Sequence, residues 1–360
     1  MKRFLITMVA LAIITANSFA QVQSDIRTAT LIHGDQTKVY YGVDAFKSAY
    51  QDAAEEGDVI VLSSGTFNQA GDITKSITIY GAGYETDPIS GTEPTSIPSI
   101  NIADKAAYDQ EGNLYYVYPT VHLEGIHISN ESLTIYNLAF YVKSSHGDAT
   151  LENLVVRKCK ILGNIALNPS TKNCLFSQCA IGNLGAYGTG RFDNGLYSSH
   201  SQLNIENCWV YYAAGSHLTS TINYDHCIIR DVYGGYANYT NSIIYSTLPE
   251  NCTAQNNIFA TTSIGTNVTG TGNWTGAADA GIWEVEGETG RSYAATKTFS
   301  LKFPAKYVGT DGTEVGINGG HAPFDRISPI PRILAADVDL RTAEDGKLNV
   351  NFKVEAQTKE

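Results

Sequence analysis

The sequence predicts an all-β chain wound as a parallel β-solenoid, and three observations carry that prediction. Between Ile135 and Phe259 one short pattern recurs seven times: an apolar residue, two intervening positions, a small or apolar residue, one more position, and a final apolar residue. Its copies end in Leu138-Ala139-Phe140, Cys159-Lys160-Ile161, Cys179-Ala180-Ile181, Cys208-Trp209-Val210, Cys227-Ile228-Ile229, Ser242-Ile243-Ile244 and Asn257-Ile258-Phe259, at spacings of 21, 20, 29, 19, 15 and 15 residues. The place before each triplet holds Asn137, Lys158, Gln178, Asn207, His226, Asn241 and Asn256, so asparagine fills four of seven equivalent positions. A period near twenty built from short β-type apolar pieces describes coils that each add a strand to a parallel sheet and stack like residue on like.

The 360 residues by length alone suggest two domains, but a solenoid lengthens its core along one axis and remains one. Residues 1 to 20 read as a secretory signal peptide. Lys2 and Arg3 form a basic start, Phe4 to Ile14 is an apolar run too short to span a bilayer, and Ser18-Phe19-Ala20 is a small-x-small cleavage site before Gln21. The expected location is therefore secreted, periplasmic or at the cell surface. No cysteine follows the cleavage point and no later apolar run approaches membrane length, so neither a lipid anchor nor a membrane span is expected. The mature chain would carry 22 basic and 36 acidic residues, a net charge of −14. That balance argues against nucleic acid as a partner and against long-range attraction of a highly anionic polysaccharide.

Six cysteines in an exported chain ordinarily suggest disulfides. Here Cys159, Cys179, Cys208 and Cys227 share one repeat position, which stacks them about 4.8 Å apart with parallel side-chain vectors. Parallel vectors fit buried free thiols better than the dihedral angle of a disulfide, so the expectation is a reduced ladder, with Cys174 and Cys252 outside it.

Residues 21 to 58 form the N-terminal part. Ala29 to Tyr41 reads as two short strands around a Gly34-Asp35 turn. Asp44 to Glu56 reads as a helix with Phe46, Ala49, Tyr50 and Ala53 on one side and Gly57 past its end. An open solenoid end exposes unpaired strand edges and core, and an amphipathic helix is the expected cap. Val59-Ile60-Val61-Leu62 and Ile77-Thr78-Ile79-Tyr80 follow as strands repeating at 18 residues, with Ser64-Gly65-Thr66-Phe67 as the turn between.

From Phe46 through Gly57-Asp58-Val59-Ile60-Val61-Leu62-Ser63-Ser64-Gly65-Thr66-Phe67 to Ile77-Thr78-Ile79-Tyr80-Gly81-Ala82-Gly83, the chain resembles the opening segment of right-handed parallel β-helix proteins of the pectin-lyase-like superfamily. The resemblance covers about residues 43 to 260. It implies a single-stranded right-handed parallel β-helix behind an N-terminal capping helix. The superfamily includes lyases, hydrolases, adhesins and proteins with no known chemistry, so it implies no single activity. The β-helix is expected over residues 59 to 277, and a C-terminal loop and β-hairpin over 278 to 360.

Long loops on a rigid scaffold are where binding usually sits. Three excursions interrupt the ladder: Gly81 to Pro98, Ala103 to Thr120, and Gly182 to Ser201, the last holding Tyr187, Arg191, Asp193, Tyr197 and His200. Near the C-terminus, Gly316-Ile317-Asn318-Gly319-Gly320 and Pro329-Ile330-Pro331 precede Val338, Leu340 and the alternating Leu348, Val350, Phe352 and Val354. Together these predict a hairpin around Glu344-Asp345-Gly346. The glycine and proline pattern of this tail resembles the tails of secreted β-helix proteins from Bacteroidetes-type bacteria.

Stacking turns sequence columns into surface patches. If Cys208 and Val210 face inward, Trp209 and Tyr211 face outward, and Arg230 and Tyr245 continue the column that Tyr211 begins. Aromatic rings beside a guanidinium suit a sugar platform, the rings stacking on apolar sugar faces and the arginine taking hydroxyls or a carboxylate. The competing reading is a covered surface, since exposed aromatics are ordinary on β-sheets. One place before the asparagine-rich column, Glu206 and Asp225 fall on successive coils about 5 Å apart, a separation that suits a shared proton, a calcium site or a retaining glycosidase pair. The competing reading is two solvated carboxylates near a turn.

Two tripeptides resemble lyase motifs. Tyr224-Asp225-His226 is similar to part of the tryptophan-isoleucine-aspartate-histidine motif of pectate lyases, where the aspartate helps bind calcium; the other calcium aspartates and the arginine-proline motif are missing. Lys143-Ser144-Ser145 is similar to the lysine-serine motif of alginate and chondroitin B lyases, but Asn164 stands where their assisting arginine would be. No zinc spacing, phosphate-binding glycine loop or serine nucleophile elbow is present. The expectation is an exported solenoid that binds a polysaccharide or cell-surface glycan without catalysis, through Trp209, Tyr211, Arg230, Tyr245 and Arg191. It needs no cofactor, calcium being the one ion the carboxylates could take. The alternatives are a polysaccharide lyase or glycoside hydrolase using Glu206 and Asp225, and a structural or adhesive surface protein.

Overall fold

The computed structural model describes residues 27–53, 57–88, 90–129, 138–143, 149–167, 170–182, 192–194, 202–214, 221–327, 330–338 and 350–355. The proposed signal peptide, Asn137, Arg191 and the Glu344-Asp345-Gly346 turn lie outside the described residues.

The chain is a parallel β-helix; among the described residues its coils contribute strands to three longer parallel sheets and to a two-stranded one, Thr150–Glu152 with Ser170–Lys172. The longest sheet runs from Asp58–Leu62 through Ile77–Tyr80, Val121–Glu124, Val155–Arg157, Cys174–Ser177, Gln202–Glu206, Thr221–Asp225 and Ala237–Thr240 to Thr253–Gln255. The second runs from Gly65–Thr66 through Thr95–Ile97, His127–Ser129, Lys160–Leu162, Ala180–Ile181, Trp209–Ala214, Ile228–Tyr233 and Ile243–Ile244 to Ile258–Phe259. The third is shorter, from Asp72–Ile73 to Phe192–Asn194. Strict alternation fixes the register: Asp58–Leu62 buries every second residue, and Leu203, Ile205, Ile222, Tyr224, Ala237 and Tyr239 all face the lumen. Like stacks on like inside it, as the parallel rings of Tyr224 and Tyr239 show, with centroids 5.0 Å apart.

The repeat triplets pair as their spacing requires, with Lys160, Ala180, Trp209, Ile228, Ile243 and Ile258 in one register column. Two expectations need correction. The coil before Lys160 places His127 beside it, whereas Leu138–Val142 belongs to the third sheet. Each side of a coil is a short apolar strand, so a local pattern does not tell the sides apart. The first two coils are offset by 19 residues rather than 18, because Ile60 stacks on Ile79. A one-residue slip would turn every lumen residue outward.

The N-terminal strands Thr28–His33 and Gln36–Tyr41 form an antiparallel hairpin that pairs onto Asp58–Leu62. Helix α1 (Ala45–Asp52) buries Ala45, Phe46, Ala49 and Tyr50 against this end. It stops before the expected Glu56: Ala53 is already extended, and Lys75 Nζ donates to the carbonyls of Tyr50, Gln51 and Ala53 at 3.3, 3.1 and 2.6 Å. A cation on the last carbonyls complements the helix dipole. The excursion after Ala103 contains an antiparallel ribbon, Lys105–Tyr108 with Leu114–Val117. At the C-terminus, Arg332–Val338 pairs antiparallel with Val350–Glu355 as the expected hairpin.

All six cysteines are free and buried. The four-membered ladder has a repeated hydrogen-bond pattern. Each Sγ donates to the carbonyl two residues earlier, as Cys179 does to Ser177 at 3.2 Å and Cys208 does to Glu206 at 3.2 Å. Ser242 continues the column with the same bond, Oγ to the Thr240 carbonyl at 2.8 Å.

The region after Ala277 is a lobe with its own core. Ile282, Trp283, Tyr293, Phe299, Leu301, Tyr307, Val315, Ile317 and Phe324 pack on Ala180, Trp209, Ile228, Ile243, Tyr245 and Ile258, the outward face of the second sheet. That face is apolar in the sequence because it is a packing surface.

Candidate functional site

Where the long sheet turns into the second, successive coils place one residue in the left-handed region: Lys158, Gln178, Asn207, His226, Asn241 and Asn256, at φ between 45° and 55°. Asparagine tolerates that conformation better than most residues, which accounts for its recurrence in the column. The same side chains reach outward to a strap, residues 308–327, that runs down the column in the opposite sense. Lys158 Nζ pairs with Asp325 at 2.9 Å, and Gln178 Nε2 donates to the Pro323 carbonyl at 2.5 Å. Asn207 Nδ2 donates to Ile317 and Gly319, and His226 Nδ1 to the Gly316 carbonyl at 3.2 Å. Asn241 exchanges bonds with Thr310, and Asn256 Nδ2 donates to Val308 at 3.0 Å. The strap's glycines permit this approach: a Cβ on Gly319 would lie 1.7 Å from the Glu314 carbonyl and 2.7 Å from His226 Nδ1.

Glu206 and Asp225 stand directly before this column and are paired in register on neighbouring strands, as expected. The strap brings His321 into the electrostatic surroundings of Glu206 and Asp311 into those of Asp225. Burial pushes the Glu206 carboxyl up, His321 opposes it, and the Asp225 charge adds to it. Burial also raises Asp225, against the opposing effects of His226 and of the 3.0 Å bond from Asn241 Nδ2. Glu314 is raised by burial as well, while the bonds from Thr313 hold Asp311 below the usual carboxylate range. His226 is 1% exposed. With Nδ1–H committed to Gly316, its Nε2 lies 3.2 Å from Asn241 Nδ2 and 3.2 Å from a carboxylate oxygen of Asp311.

Beside the carboxylates, the outward positions of the long sheet hold an amide ladder that the sequence reading missed. Asn223 Nδ2 donates to Asn204 Oδ1 at 2.9 Å, Asn238 Nδ2 to Asn223 Oδ1 at 2.9 Å, and Thr253 Oγ1 to Asn238 Oδ1 at 2.6 Å. Each amide keeps donor or acceptor capacity beyond these bonds. The signal was present as asparagine two places before Glu206 and Asp225.

The expected aromatic platform is corrected. Tyr211 and Arg230 do stack, the guanidinium 4.1 Å from the ring centroid, and both are half-buried. Trp209 and Tyr245 face away from the lumen but lie under the lobe, 1% and 4% exposed. Trp209 Nε1 donates to the Gly290 carbonyl at 2.8 Å, and the Tyr245 hydroxyl is bonded by Asp279, Trp283 and the Gly290 amide. Their rings are packing elements and offer no face to a sugar.

Lys143, read as a lyase-like lysine, donates from Nζ to both carboxylate oxygens of Asp72, at 2.7 and 2.6 Å. Among the described residues no group of three or more His, Cys, Asp or Glu side chains is placed to hold a metal ion. Also among the described residues, no helix is long and apolar enough to cross a membrane. Compared with protein families, curated proteins and solved structures, the chain gave no match.

Proposed function

We propose that this is an exported β-helix protein that holds an extended, hydroxyl-rich glycan against the outward face of its long sheet, alongside the strap. One observation carries the reading: the Asn204-Asn223-Asn238 amide ladder runs beside the Glu206 and Asp225 pair, offering polar groups that repeat from coil to coil. Repeating donors and acceptors suit a polymer whose hydroxyls also repeat. The acidic strap favours a neutral or basic glycan over a polyuronate. The signal-peptide-like start and the resemblance to pectin-lyase-like proteins support export and a polysaccharide partner. The test incubates residues 21–360 with neutral and acidic polysaccharides and follows gel retention, new reducing ends and unsaturated products. Retention on a neutral polymer without products supports the proposal, and retention on no polymer contradicts it.

A second reading is glycoside hydrolysis by Glu206 and Asp225. It rests on two carboxyls on neighbouring strands, about 5 Å apart, both raised by burial. Reducing ends that disappear in Glu206→Gln would establish it in place of simple binding.

A further inference from the structure

The outward column of the second sheet changes character along its length. It is apolar from Ala180 to Ile258, where the lobe covers it, but its preceding members are Ser96, His127 and Lys160. At this boundary Tyr84 and Glu85, from the excursion after Gly81, meet Tyr293 and Arg326 of the lobe and strap. Glu85 is shared by two cations, with Lys160 Nζ 3.5 Å from one carboxylate oxygen and Arg326 Nε 3.7 Å from the other. Both separations exceed the roughly 2.7–2.9 Å of a charge-assisted bond. The neighbouring Lys158–Asp325 pair, by contrast, closes to 2.9 Å.

The three side chains are largely removed from water, at 17% exposure for Lys160, 27% for Arg326 and 11% for Glu85. Two cations thus face one carboxylate in a partly desolvated place, where unmatched charge is costly. Arg326 is held in position by bonds from Nε to the Tyr293 hydroxyl at 3.1 Å and from its terminal nitrogen to the Lys297 carbonyl at 2.8 Å. Two further buried polar atoms have no partner within hydrogen-bonding geometry: the Tyr84 hydroxyl, which lies beside Tyr293, and His127 Nε2. Burial, reinforced by the Lys160 charge, pushes His127 down to about 4, leaving a neutral ring at pH 7.

We propose that Lys160 and Arg326, together with His127 and Tyr84, form a site for a small hydroxycarboxylate whose carboxylate displaces that of Glu85. The ligand's carboxylate takes the two cations, and its hydroxyl takes the unpartnered His127 and Tyr84 atoms. This site lies on the second sheet and is independent of the glycan reading.

The test is calorimetric titration of residues 21–360 and of Glu85→Gln with glycolate, acetate, glycolamide and inorganic phosphate. Removing the internal carboxylate should tighten glycolate binding about tenfold, because hydrogen bonds to charged groups are of that strength. Acetate should bind about tenfold more weakly than glycolate, and glycolamide not at all. Lys160→Met in the Glu85→Gln background should abolish binding and Lys160→Arg should restore it, circular dichroism verifying that both fold. No saturable heat in Glu85→Gln, glycolamide or acetate equal to glycolate, or phosphate tighter than glycolate would each overturn the proposal.

Discussion

Asn207 donates from Nδ2 to the carbonyl of Gly319 at 2.7 Å, joining a coil turn to a strap residue 112 positions later. The same amide reaches Ile317 at 3.0 Å, while the backbone of Asn207 sits at φ 51°. One residue type thus serves two needs, a left-handed turn and a buried bond to the strap. Asn207→Gly keeps the turn and orphans the two carbonyls, so it should cost about 2 kcal/mol. Asn207→Ala should cost about 1 kcal/mol more through the left-handed penalty. Urea unfolding measures both; equal losses would show that the turn conformation contributes nothing.

Glu206 provides a pH test. Its folded-state carboxyl is raised above the unfolded value, about 4.3, chiefly by burial. The ionised form is therefore disfavoured in the fold, so Glu206 detracts from stability at neutral pH. That deficit disappears as pH falls through the folded value and then the unfolded one. Glu206→Gln should unfold at higher urea than the native chain at pH 7 and match it below about pH 4. A difference independent of pH would assign the effect to packing.

Trp209 separates packing from recognition. Its burial between the second sheet and the lobe predicts a loss of about 3–5 kcal/mol for Trp209→Ala. Trp209→Phe, which gives up the bond to Gly290, should be milder and should leave glycan retention unchanged.

The thiols should be silent until unfolding. Burial raises the thiols of Cys159, Cys174, Cys208, Cys227 and Cys252, and all six cysteines are buried. Alkylation of the mature chain should label none in the native state and all six in denaturant without reductant. A disulfide-linked pair in the mass spectrum would refute the reduced ladder.

Much of the fold was legible because stacking repeats the same local choice. The spacings from Cys159 onward reproduce the register of the second sheet, and the asparagine-rich column coincides with the left-handed turns. The misplacement of Leu138 arose because an apolar strand reads alike on any side of a coil. The site was legible in part. The Glu206 and Asp225 pairing follows from register, but alternation only assigns Trp209 to the outside of a coil and carries no information on what lies over it. That depends on contacts across more than 80 residues, such as Trp209 with Gly290. The strap's Gly316-Ile317-Asn318-Gly319-Gly320 was visible as a motif, and its reason, close approach to His226, emerges only in three dimensions.

The central claim, a glycan held on the outward face of the long sheet, is tested most directly by affinity electrophoresis on the best-retaining neutral polysaccharide. The native chain, Asn223→Ala/Asn238→Ala and Trp209→Phe would be run side by side. The account predicts at least a tenfold loss of retention for the asparagine pair, as about one bond lost at each position implies, and native retention for Trp209→Phe. Native retention of the asparagine pair, or loss confined to Trp209→Phe, would contradict it.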